Sequence, residues 1–205
     1  MNALFTAIFS KFNHKALTVG AAVNVGGGVV GIPCAAHGFL TGDTVTFVGT
    51  TNYDAAFTVL ASSTANQINI TSAFTAETFA ATDYAENALY TAIGGRMYHV
   101  KAPQSATFPY VVYEIITATD ELDFSQELQV FQVQFDIFTE NNSASSAGTI
   151  LGYLESLYDD CSMTVTGWRF LSMVREFVMS NNDISQVPPI MGYSVQYEIQ
   201  LEKAK

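Results

Sequence analysis

Few residues in this chain have the types and spacing to do chemistry. Cys34 and His37 lie three positions apart, with Asp43 close behind. A thiol nucleophile needs a base within hydrogen-bond reach and donors for an oxyanion. In a stretch this rich in Gly, Thr and Val, the trio fits a small buried thiol and a loop histidine better. Asp120, Asp123 and Glu127 offer carboxylates to a cation, but they lack the D-x-D-x-D-G pattern and closing Glu of a calcium loop. The expectation there is an exposed acidic loop between two strands. The histidines His14, His37 and His99 fall in no H-E-x-x-H pattern. The chain also has no C-x-x-C, no G-x-S-x-G and no phosphate-binding loop. No catalytic residue, metal site or cofactor is expected, and the chain does not read as an enzyme.

A polar row is more informative. Gln132, Gln134 and Asp136 alternate with Phe131, Val133, Phe135 and Ile137, and Gln196, Glu198 and Gln200 alternate in the same way. Period-two alternation predicts half-buried strands that present these six polar side chains on one face. Such a face is either ordinary solvated sheet or the wall of a water-filled channel wide enough for DNA.

The bulk numbers limit the partners. The chain has 205 residues, 49% of them hydrophobic and 13% charged, which is enough to bury a core. Its net charge of −11 argues against sequence-independent DNA binding, because that requires a Lys/Arg footprint on the phosphates. An acidic wall would instead let a duplex slide past. Cys34 and Cys161 make neither a disulfide framework nor a zinc site. The start of the chain has no basic, then apolar, cleavable pattern, so no signal peptide is expected. The uncharged run from Ala16 to Thr41 is punctuated by Gly26-Gly27-Gly28 and Pro33. It reads as short β runs about a hairpin turn rather than a membrane span, and no membrane partner is expected.

The elements that must position these residues fall into two kinds. Leu4, Phe5, Ile8, Phe9 and Phe12 share one helical face, with Asn2 as a candidate N-cap. From Ala16 to Ala85 there is no Lys or Arg. Within that region, period-two runs at 44–48, 57–59 and 67–71 are separated by turn residues, which predicts a small all-β module, barrel or sandwich-like. At Asn87 the composition changes back. Residues 87–93, NALYTAI, repeat residues 2–8, NALFTAI, except that Tyr90 replaces Phe5. The material after each copy differs, so the pair reads as neighbouring helical segments of one domain with the β module inserted between them. A helix ending at Gly94-Gly95, strands at 110–116 and 131–137, a helix at 143–159 and strands at 168–179 and 193–202 complete the pattern. The expected fold class is α+β, a mostly antiparallel sheet with helices packed on one face. The expected division is residues 1–15 with 86–205, and an insert at 16–85.

The segment GGRMYHVKAPQSATFPYVVYEI carries a resemblance. Gly95, Arg96, Tyr98, Ala102, Pro103, Gln104, Ala106, Phe108, Pro109, Tyr110, Val111, Val112 and Tyr113 form a pattern similar to the tail-completion, or tail-terminator, family of long-tailed, siphovirus-like bacteriophages. The later order of a polar-alternating strand, a helix and two closing strands resembles that family too. Pro103 and Pro109 bracket a loop and push the residues before them out of the helical region, so the chain must enter the Tyr110 strand extended. Gln104 can donate and accept, and is expected to hold the loop. The insert departs from the family pattern. It resembles small β modules of other phage structural proteins through AAHGFLTGDTVTFVGTTNYDAAFTV, and its expected place is outward from a ring.

The resemblance implies a virion structural protein of the tail or neck, assembled in the host cytoplasm. It implies a homo-oligomeric ring, commonly hexameric, at the head-proximal end of the tail tube. Such a ring stops tube growth, docks the head-tail connector or head-completion protein, and leaves a lumen through which genomic DNA passes without specific binding. The candidate lumen-facing residues are Gln132, Gln134, Asp136, Gln196, Glu198 and Gln200. The candidate interface residues are Asp120, Glu121, Asp123 and Phe124 in the acidic loop, with Phe124 an exposed aromatic among charges, and Val187 and Ile190 beside the rigid pair Pro188-Pro189. Two other readings stay open: a head-completion ring that joins the connector, and an adhesion or decoration protein that acts through the β insert.

Overall fold

The computed structural model describes residues 2–123, 126–140 and 144–204. The chain forms two compact units, residues 1–11 with 92–205 and residues 12–91. Helix α1 (Asn2–Phe12) opens the chain and buries Leu4, Ala7, Ile8 and Phe12. Phe9, expected on the inner face, is 37% exposed, and the small Ala7 is buried instead.

The unit of residues 12–91 is all β up to its last residues. Its strands are β1 (Lys15–Ala16), β2 (Gly20–Ala21), β3 (Val23–Gly26), β4 (Val29–Pro33), β5 (Thr44–Val48), β6 (Ala56–Thr58), β7 (Gln67–Thr71), β8 (Thr78–Phe79) and β9 (Tyr84–Asn87). They form open sheets of order β1-β9-β5-β6 and β3-β4-β7 with a short β2-β8 ladder, and none closes into a barrel. The glycine run makes the expected hairpin. Gly27 and Gly28 both have positive φ, as a tight turn between β3 and β4 requires. Val30, Ile32, Val45, Phe47, Ile68 and Ile70 meet in one core with Tyr53 and Phe79. Strands β1 and β9 pair antiparallel, so the chain leaves and re-enters this unit side by side. Beyond Asn87 comes α2 (Ala88–Ile93). The Asn87 side-chain oxygen accepts the Tyr90 N–H at 2.8 Å, as an N-cap does. Leu89 and Ile93 are buried like Leu4 and Ile8 at the matching positions of α1.

The other unit is built on a five-stranded sheet of order β10-β11-β12-β14-β13. Its members are β10 (Met97–His99), β11 (Tyr110–Asp123), β12 (Gln126–Glu140), β13 (Trp168–Ser180) and β14 (Ile190–Lys203). Only the β10–β11 pair is parallel. Helix α3 (Ala144–Tyr158) packs on β12 and β14. On that face Val133, Phe135, Ile137, Val195, Tyr197 and Ile199 are fully buried. The Tyr158 hydroxyl donates to the Ile8 carbonyl at 2.9 Å, which ties α1 to α3. Gly192 is required where β14 crosses β12, because a Cβ there would collide with the Ile137 carbonyl oxygen. The fold is thus α+β and mostly antiparallel, as expected.

Two expectations are corrected. The segment from Thr117 to Asp123 is not a loop: β11 runs on to Asp123, paired residue by residue with β12 down to Asp123↔Gln126. The facing backbone of β12 holds this segment extended although it carries Asp120, Glu121 and Asp123. Ile190 is not a loop residue either. It begins β14, pairs with Glu140 and bridges to Asp183.

Candidate assembly surfaces

The polar row lies on one face of the sheet, opposite the helices. Register aligns Gln132 with Glu198, Gln134 with Gln196 and Asp136 with Ser194. Gln196 Nε2 donates to Gln132 Oε1 at 2.5 Å, Gln132 Nε2 to Glu198 Oε2 at 3.4 Å and Gln200 Nε2 to Glu198 Oε1 at 2.8 Å. Gln134 Nε2 reaches both Asp136 oxygens at 3.0 Å, and Ser194 Oγ donates to Asp136 Oδ1 at 2.5 Å. The amides are donors to the carboxylates, so the face carries two hydrogen-bonded clusters, Gln132 with Gln196, Glu198 and Gln200, and Gln134 with Asp136 and Ser194, in which each negative charge is spread over neutral neighbours. All six candidate residues are half-buried against one another.

The motif segment is held by its own residues. Gly94 and Gly95 have positive φ and stop α2. Arg96 Nε then donates to the Pro109 carbonyl at 3.0 Å, and the Arg96 carbonyl accepts the Val111 N–H at 3.0 Å. The loop Lys101–Pro109 is thus closed at its base and feeds β11 next to β10. Tyr110 stacks on Phe108 and packs on Tyr98 and Phe138. Gln104 is exposed, and Arg96 is what fastens the loop.

Of the candidate interface residues, Asp120 is exposed and accepts a bond from Gln129 Nε2 at 2.6 Å. Glu121 and Asp123 are placed by backbone register opposite Leu128 and Gln126. Phe124 lies outside the described residues. Lys203 Nζ reaches Glu127 at 2.7 Å. Among the described residues no group of three or more His, Cys, Asp or Glu converges as a metal site. In the loop before β14, Val187 is 98% exposed. Asp183 organises that loop by accepting the Ser185 N–H, the Ser185 hydroxyl and Gln186 Nε2, bonds that hold its carboxyl below the usual range.

Sequence reasoning missed the apolar surface of β13. Leu171, Val174, Phe177, Val178 and Met179 are exposed, and so is Ile184 beyond them. The signal was present: WRFLSMVREFVMS has apolar residues at both parities, while the fold offers helices to one face only.

The Cys34, His37 and Asp43 trio is spent on the module itself. His37 Nε2 bonds the Thr64 carbonyl at 2.6 Å, and its Nδ1 accepts the Phe39 N–H at 3.0 Å. Asp43 Oδ2 accepts the Leu40 N–H at 2.7 Å. Cys34 faces the Ala16 carbonyl at 3.6 Å, and burial pushes its thiol up to about 11. Among the described residues, no helix is long and apolar enough to cross a membrane.

Comparison with known proteins bears on the same region. Residues 84–177 match the family described as tail completion protein gp17. A chain in the solved structure titled "Virion of native gene transfer agent (GTA) particle" superposes with a TM-score of 0.49 at 11% identity, over 56% of this chain and 84% of that one. No curated protein matches the sequence. The matched stretch runs from β9 through the fastened loop and most of the sheet to Phe177, and over it residues 84–177 of this chain are similar to the tail completion protein gp17 family.

Proposed function

We propose that this chain is a virion structural protein that forms a ring at the head-proximal end of a phage tail tube. The ring ends tube polymerisation, offers a docking surface to the head connector and leaves a lumen for DNA. The observation that carries this reading is the tail-completion match over the segment that builds the sheet. The half-buried ladder of Gln132, Gln134, Asp136, Gln196, Glu198 and Gln200 supports a lumen wall. It is acidic and rich in amides, and so repels phosphates without binding them. The action is geometric: one ring face copies a tube subunit's contact surface and the other does not, so addition stops. Asp120, Glu121, Asp123 and the Val187 loop are the axial contacts in this reading. The all-β unit of residues 12–91 is an outward decoration.

Electron microscopy of particles assembled without this chain tests the proposal. Unjoined heads beside tails of irregular, excessive length are expected. Tails of normal length beside leaking heads would move the protein to the head side of the joint and end the capping mechanism.

A further inference from the structure

The five-stranded sheet has two open edges that fit each other. Strand β10 covers β11 only over Val111–Tyr113, which leaves Glu114–Asp123 without a strand partner on its outer side among the described residues. Strand β13, 13 residues long, is the other edge. From β11 through β12 and β14 to β13 each pair is antiparallel, so β11 and β13 run in opposite directions. A rotation about an axis along the strands therefore sets β13 of one copy beside β11 of the next as an antiparallel pair, with the polar face kept on the same side. An odd number of alternating strands would not do this.

Resting on the ring reading above, we propose that copies of this chain join edge to edge, with the outer edge of β13 pairing antiparallel with Glu114–Asp123 of the next copy. The levels agree. Following register across the sheet, Thr117 aligns with Gln132, Gln132 with Glu198 and Glu198 with Val174, so one polar-face row ends at Thr117 on one edge and at Val174 on the other. The joined sheets carry that row from copy to copy. Charge is compatible at the end of the junction: Arg169, its side chain 71% exposed and 3.0 Å from Glu202, lies level by register with the backbone of Glu121. Exposed apolar residues lie near both ends of that row, Ile116 in the bulge before Thr117 on β11 and Val174 on β13. Strand β13 has no Lys or Pro, its Arg169 and Arg175 are each held by carboxylates of the same chain, and exposed Leu171, Val174, Phe177 and Val178 leave a long edge open to pairing. Its two register shifts add twist, which a wall closing on itself requires.

The full chain is tested by native mass spectrometry and by disulfide trapping. Val174→Glu is expected to raise the concentration at which the oligomer forms at least tenfold, with the far-ultraviolet circular dichroism of the dilute chain unchanged, and Thr117→Lys in the same chain is expected to restore assembly. As a second measurement, Val174→Cys combined with Thr117→Cys or Thr119→Cys is expected to give a ladder of covalent oligomers on oxidation. The natural Cys34 and Cys161 are buried and add no background. A wild-type oligomer that survives Val174→Glu and gives no ladder from either pair overturns the edge junction and leaves the ring standing. A wild-type chain that stays monomeric both alone and on tube ends overturns ring and junction together.

Discussion

The side chain of Asn87 donates to the carbonyl of Phe12 at 2.6 Å, across 75 positions of sequence. The same side chain caps α2 through Tyr90, and the Phe12 and Tyr90 rings lie 5.1 Å apart. The end of the first heptad's helix and the start of the second's thus meet at one asparagine. Asn87→Ala removes the cap, worth about 1 kcal/mol. It also removes the hydrogen bond that Asn87 Nδ2 gives the Phe12 carbonyl, at about 1–1.5 kcal/mol. Urea unfolding should show a loss of about 2–2.5 kcal/mol; a loss under ~0.5 kcal/mol would mean the carbonyl finds water.

Gly192 tolerates no side chain, since its Cβ position is occupied by the Ile137 carbonyl oxygen. Gly192→Ala should therefore push β14 off β12 and cost about 3 kcal/mol or more, because a backbone atom cannot move aside as a side chain can. The check is the thermal midpoint beside that of Gly148→Ala, whose added methyl meets nothing within 4 Å.

The buried thiols set an alkaline limit. Burial pushes Cys34 and Cys161 up to about 11, against an ordinary thiol value near ~8.5. Between these values the unfolded chain releases protons that the folded chain keeps, so stability is full below about 8.5 and falls as pH rises toward 11. Burial also raises Tyr197, whose hydroxyl donates to Asp159 at 2.7 Å, and this adds to the loss at the top of the range. Denaturation midpoints from pH 7 to 11 should decline, and Cys34→Ser with Cys161→Ser should flatten the early part of the decline. A profile identical to wild type in that double variant would remove the thiols as the cause.

If the polar ladder lines a DNA path, neutralising its charge should slow the duplex without blocking assembly. Gln132→Lys with Gln196→Lys introduces cations on adjacent strands, and by phosphate attraction the variant should give intact particles with infectivity reduced at least about tenfold and a steeper salt dependence of DNA release. Particles of normal titre would take the lumen away from this face.

How much of this was legible in the sequence varied with the range of the interactions involved. The hairpin at Gly27-Gly28, the strands at 44–48 and 67–71 and the helix stop at Gly94-Gly95 were readable because turn chemistry and period-two alternation act within a few residues. The polar row was readable for the same reason: alternation decides which side chains share a face. The motif GGRMYHVKAPQSATFPYVVYEI carried the resemblance, and it lies within residues 84–177, which match the tail completion protein gp17 family.

Tertiary structure decided the rest. Nothing local says that Thr117 to Asp123 continues a strand; the facing ladder of β12 holds it extended despite its charges. Nothing local marks β13 as an edge with one face uncovered, because strand order and the side taken by α3 are long-range outcomes. The pairing of Arg96 with Pro109 and of Asn87 with Phe12 likewise required the fold, since a hydrogen bond between distant residues depends on where the chain returns, and single-sequence patterning carries no information about that return.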